Sequence, residues 1–88
     1  MATLYKADGT VTKVKPAGKK FTLEEMQALV GGYIRGVRTD AGREMYVNED
    51  GFMLRLPHNS QATRQVKKTL GPGDYIVGDA VVVNPGEF

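Results

Sequence analysis

Apolar and polar positions alternate in three different rhythms along this chain, and the changes of rhythm mark its elements. From Phe21 to Ile34 the residues read FTLEEMQALVGGYI. Met26, Leu29 and Val30 recur at i, i+3, i+4, the spacing of one helical face. Thr22 caps this helix and Glu25, three residues on, reaches back, a capping box. Phe21 before the cap and Met26 inside the helix form the matching hydrophobic staple. Gly31-Gly32 stops the helix, since glycine enters the left-handed region cheaply. The pattern predicts a helix over Thr22–Val30.

Either side of that helix the rhythm has the period of a strand. Ala2–Lys6 and Thr10–Lys15 flank the hairpin turn signal Asp8-Gly9. Their lysines suit a sheet edge, where charge discourages pairing with other chains. Tyr33–Arg38, Arg43–Asn48 and Phe52–Leu56, separated by Thr39–Gly42 and Glu49-Asp50-Gly51, read as an antiparallel meander. In it Met45 and Val47 share one face, as do Phe52, Leu54 and Leu56. Pro57 ends that run. Ser60 or Asn59 caps a second helix over about Gln61–Thr69, with Ala62, Val66 and Leu70 as a narrow buried stripe. Gly71-Pro72-Gly73 closes it. Tyr75–Val83 is apolar on both faces, which predicts a strand covered on both sides and central in the sheet. Asp79 is the odd residue there. It is expected at an edge or capping a bulge beside Gly78, because a buried carboxylate needs partners.

The fold class expected is α+β: a mainly antiparallel sheet of about five strands with two short helices packed on it. Residues 1–83 read as one domain and 84–88 as a tail. Gly86-Glu87-Phe88 could stem from cloning and is set aside from functional reasoning.

Composition narrows the function classes. The 88 residues include no cysteine, so neither a disulfide nor a thiolate metal cage is available. A hydrophobic share of 41% supports one modest core. No apolar run approaches the ~20 residues of a membrane span. Lys6 and Asp8 interrupt any signal-peptide core, and the absence of cysteine fits the cytoplasm. The net charge is only +2, but it is unevenly distributed. Lys13, Lys15, Lys19 and Lys20 stand without acids in one block; Arg55, Arg64, Lys67 and Lys68 do so in another. An electropositive face is one reading and simple solubility the other.

Reactive chemistry finds little to build on. His58 is the sole histidine and Ser60 the sole serine, two apart and without a nucleophile-elbow context. A zinc site would have to be mostly carboxylate. Glu24-Glu25 suits the first turn of a helix, and Glu49-Asp50-Gly51 is turn chemistry. Gly18-Lys19-Lys20 fails the phosphate-loop spacing, with lysine at position 13 in place of glycine and at position 20 in place of Ser or Thr. No catalytic residue, cofactor or metal is assigned, and the chain is read as non-enzymatic. An anion or partner site is expected at the start of the second helix, from Arg55, His58, Asn59, Ser60, Arg64, Lys67 and Lys68. Tyr33 and Tyr46 are the candidates for stacking on a base.

The order LEEMQ, VGGYI, MYVNEDG, LPHN, DYIVGDAVVV, spread between Leu23 and Val83, resembles a family of small uncharacterised proteins carried by bacteriophages, plasmids and other mobile elements, described only as a domain of unknown function. The resemblance implies a viral or plasmid-borne protein acting in a bacterial cytoplasm. It transfers no site residues. Two functions follow as expectations. The first is a non-enzymatic accessory protein that binds and blocks a host factor or defence system. The alternative is a sponge that sequesters a phosphorylated nucleotide signal. Nucleic acid ranks below both, and a membrane is not expected. A homo-oligomer would give so small a domain a shared face to bury.

Overall fold

The computed structural model describes residues 1–88. Five antiparallel strands form one sheet: β1 (Ala2–Tyr5), β2 (Val11–Val14), β3 (Ile34–Arg38), β4 (Glu44–Asn48) and β5 (Ala80–Val83), in the order β2-β1-β5-β4-β3. Three short helices complete the α+β fold: α1 (Leu23–Val30), α2 (Ser60–Gln65) and α3 (Lys67–Leu70).

Strand periodicity divides the core into two layers. Ala2, Leu4, Val81 and Val83 point to one face and pack with Phe21, Met26 and Val30 of the α1 segment. Val37, Met45, Val47 and Ala80 point to the other and pack with Ala62, Val66 and Ile76. The sheet is therefore sandwiched, with α1 on one side and α2–α3 on the other. This is why Ala80–Val83 is apolar at every position: the last strand is central and covered on both faces.

The start and stop of α1 follow its local signals. Thr22 Oγ1 accepts from the Glu25 N–H at 3.1 Å, and Glu25 Oε1 accepts from the Thr22 N–H at 2.9 Å. Gly31 closes the helix in the left-handed conformation at φ 79°. These hydrogen bonds hold the Glu25 carboxyl below its ordinary pKa, with the Thr22 and Ala17 N–H groups as its donors.

The structure corrects the sequence reading at three elements. Phe52–Leu56 is not a strand but a hydrogen-bonded turn: the Leu54 N–H donates to the Asp50 carbonyl (2.8 Å) and the Leu56 N–H to that of Gly51 (3.0 Å). The second helix breaks at Val66 (φ −129°). Asp40 occupies the break: its N–H donates to the Gln65 carbonyl at 2.8 Å and its Oδ1 accepts the Lys68 N–H at 3.0 Å. Both groups would otherwise bond within a continuous helix. Finally, the last strand starts only at Ala80. Gly78 (φ +75°) turns the chain with Leu56 Cδ1 2.7 Å from where a Cβ would stand. Val77 bridges to His58 instead. Asp79 Oδ1 accepts the Ala7 N–H at 2.9 Å, which gives that carboxylate its partner.

One buried amide joins these layers. Asn59 is 1% exposed, and its side chain bonds three separate backbones. Nδ2 donates to the carbonyls of Tyr5 and Gly78, both at 2.8 Å, while Oδ1 accepts the Ala62 N–H at 3.0 Å and so caps α2. Replacing it with Ala strands two carbonyls and one N–H. Asn59→Ala is expected to cost about 3 kcal/mol in urea unfolding, and Asn59→Asp, which keeps the cap but loses both donors, a comparable amount. A second expectation concerns pH. The folded pKa of Glu25 lies below its unfolded value, so its stabilisation is complete above the ordinary 4.5 and fades as pH falls through the lower folded value. Glu25→Gln should flatten this part of the acid limb of a stability–pH curve measured by denaturant titration.

Candidate binding surface

The turn that replaces the expected strand is the main surface feature. Its first residue, Gly51, lies against Val77, and its last, Leu56, covers Gly78. Between these two contacts the chain bulges outward. Phe52, Met53 and Leu54 are 58%, 76% and 56% exposed. The Asp50 N–H donates to Asn48 Oδ1 at 2.8 Å, so the turn is tied to β4 as it leaves the sheet. Arg55 sits at φ 57°, the one non-glycine residue in the left-handed region. That conformation is costly for any residue with a Cβ and is held here by the Arg55 and Leu56 N–H groups, which donate to the carbonyls of Phe52 and Gly51.

An aromatic row extends the surface. The Phe52 and Tyr75 rings meet edge to face at 5.4 Å, and those of Tyr75 and His58 at 5.0 Å. Tyr75 is itself exposed. His58 thus stands at one end of a row of edge-to-face rings.

The residues expected around the start of α2 are only partly brought together. Asn59 is withdrawn from any ligand, because its amide is spent on Tyr5, Gly78 and Ala62. Two of the N–H groups expected to hold an anion are answered inside the protein: Ala62 by the Asn59 side chain, Thr63 by the Asn59 carbonyl at 3.0 Å. Ser60, Arg64, Lys67 and Lys68 are exposed on the α2–α3 layer, with Lys68 held at its N–H by Asp40. Arg55 belongs to the apolar turn.

The two tyrosines proposed for stacking lie in different cavities. Tyr46 is half-buried against the α1 layer, with the Phe88 ring edge-on at 5.1 Å. Burial, with Glu44 nearby, pushes its phenol above the ordinary pKa. The cavity beside it measures about 230 Å³, and the two arginines there are engaged, Arg38 with Glu44 and Arg43 with Asn84. Residues 84–88 are part of this wall: the Phe21 N–H donates to the Glu87 carbonyl at 2.6 Å, and Asn84 Nδ2 donates to the Met1 carbonyl at 2.8 Å. Tyr33, 67% exposed, instead borders a cavity of about 620 Å³ at the end of α1. Gly31-Gly32, Asn48, Asp50 and Leu54 line the same hollow, which carries a carboxylate and no lysine or arginine.

The sequence reading therefore missed Phe52, Met53, Leu54, Tyr75 and Asp50 as surface residues. A signal was available: three consecutive apolar residues do not alternate, and a run of that kind on a surface is costly unless it is used.

No helix is long and apolar enough to cross a membrane. No curated protein and no solved structure matches the chain. One family model does, over residues 3–88, from within β1 through β5 and including all three helices and the apolar turn. On that match the chain belongs to the family described as a domain of unknown function (DUF3846).

Proposed function

We propose that this protein is a non-enzymatic accessory protein of phage or mobile-element type, acting in the bacterial cytoplasm, that binds a host protein and blocks it by occupying its surface. The observation that carries this reading is the exposed tripeptide Phe52-Met53-Leu54, displayed on a turn with its own hydrogen bonds. Three adjacent apolar side chains in water cost free energy that burial against a partner recovers, at roughly 25 cal/mol per Å². The surrounding residues have interface character. Aromatic rings, methionine and arginine are enriched where proteins meet, and this surface offers Phe52, Tyr75, Met53 and Arg55. The turn is also pre-organised, which lowers the ordering cost of association.

The basic residues Arg64, Lys67 and Lys68 would act as a steering rim, raising the association rate more than the final affinity. Sequestration of a phosphorylated nucleotide finds less support. The Ala62 and Thr63 N–H groups at the start of α2 are bonded internally, and the cavity beside Tyr33 presents Asp50, which repels phosphate.

Met53→Asp and Leu54→Asp place charge at the centre of the apolar surface without touching the core. Either should abolish affinity capture of the host protein from bacterial lysate while shifting the melting temperature little. Capture that survives both substitutions would remove this surface from the reading. Arg64→Glu with Lys68→Glu should reduce capture mainly at low ionic strength. A panel of cyclic and linear nucleotides is expected to leave the melting temperature unchanged; a ligand at 100 times its dissociation constant would raise stability by ~2.7 kcal/mol and favour the sponge instead.

A further inference from the structure

The hollow at the C-terminal end of α1 has the chemistry of a cation site. Three separate features converge on it. The first is the end of the helix itself. Gly31 and Gly32 both donate to the Gln27 carbonyl, and Asn48 Nδ2 donates to that of Val30 at 3.2 Å. The carbonyl of Ala28, a residue that lines the hollow, receives no donor from the protein. The last turn contains no basic residue, so the negative end of the helix dipole is left uncompensated on its own helix. The second is Asp50. It is half-buried, its N–H is tied to Asn48, and its carboxylate takes no hydrogen bond or ion pair from the protein. The third is the Tyr33 ring, 67% exposed at the rim, whose face attracts a cation.

The hollow is large enough to matter. Its volume of about 620 Å³ is within the range of small-molecule sites, ~300–1,000 Å³. Ala28 and Leu54 add apolar wall beside the polar end. We propose that this hollow binds an alkylguanidinium or alkylammonium group, with the charged head at Asp50 and the Ala28 carbonyl at the end of α1, the alkyl stem along the side chains of Ala28 and Leu54, and the Tyr33 ring over the head. The hollow shares Leu54 with the docking surface on the neighbouring turn, but Asp50, Tyr33 and the end of α1, which would hold the charged head, lie outside that surface. Its ligand is either a free polyamine or the basic side chain of another protein, and both carry the same head and stem.

The test is a titration of the whole protein followed through backbone amide chemical shifts. Butylguanidinium should give saturable shifts at Gly31, Gly32, Tyr33 and Asp50. Butylurea, its neutral counterpart, should bind about tenfold or more weakly. Asp50→Asn keeps the turn's backbone bonds and should weaken butylguanidinium about tenfold; Tyr33→Ala should weaken it several-fold. Spermidine and a capped Gly-Arg-Gly peptide separate the sources: tighter binding of spermidine assigns a free polyamine, and tighter binding of the peptide assigns a side chain. Absence of saturable shifts with all three cations overturns the site. Equal affinity for butylurea, or an unchanged affinity in Asp50→Asn, overturns it as well, since either result leaves only an apolar hollow.

Discussion

The fold depends on the amide of Asn59. The sheet and the α2–α3 layer meet across apolar side chains, which bring them together without fixing their relative position. Asn59 supplies the register. Its two donors reach the ends of β1 and of the Ile76–Gly78 segment, and its acceptor sets the first turn of α2. A buried amide satisfied on only one side would be costly, so the three elements share one arrangement in which every bond is made. The neighbouring bonds have the same character. The Asn59 N–H donates to the Ile76 carbonyl and Thr63 Oγ1 accepts the Ile76 N–H, so the chain before β5 is attached to α2 by hydrogen bonds as well as by packing.

That dependence explains which parts of the fold were legible in the sequence. The α1 helix was, because its signals are local: Thr22, Glu25 and Gly31 act within a few residues of one another. The central place of Ala80–Val83 was also legible, since burial on two faces needs apolar residues at both strand parities. The break at Val66 was not. It depends on Asp40, some 25 residues earlier in the chain, whose N–H and carboxylate replace two helical bonds. In sequence Asp40 reads only as a turn residue. The Phe52–Leu56 error has a different origin. Leu56 is docked on Gly78 and Phe52 is paired with Tyr75, so the strand-like spacing reflects two contacts on opposite ends of a turn.

The candidate site suffered from the same limit. Asn59 was read both as a cap of the second helix, which it is, and as part of an anion or partner site beside Arg55 and Arg64, and only the fold shows its side chain enclosed. The apolar surface was hidden by its assignment to a sheet face, where Phe52 and Leu54 would have been core. Charge misled as well. The basic block Arg55–Lys68 is spread over a turn and two helices, while the hollow beside Tyr33 is lined by a single carboxylate and by the end of α1, which no composition count records.

The two surface features share one structural cause. The segment from Asn48 to Leu56 leaves β4 and is held at both ends, by Asn48 beneath the C-terminus of α1 and by Leu56 on Gly78. Asn48 bonds the Val30 carbonyl with one end of its amide and the Asp50 N–H with the other. That single side chain therefore places Asp50 beside the helix end and starts the turn that lifts Phe52, Met53 and Leu54 into solvent. Gly32 is required at the same junction, since a Cβ there would stand 2.9 Å from Asn48 Nδ2. The hollow and the apolar turn are thus two sides of one rigid element. A ligand or partner that engages either side meets a surface whose geometry is already set by β4 and α1.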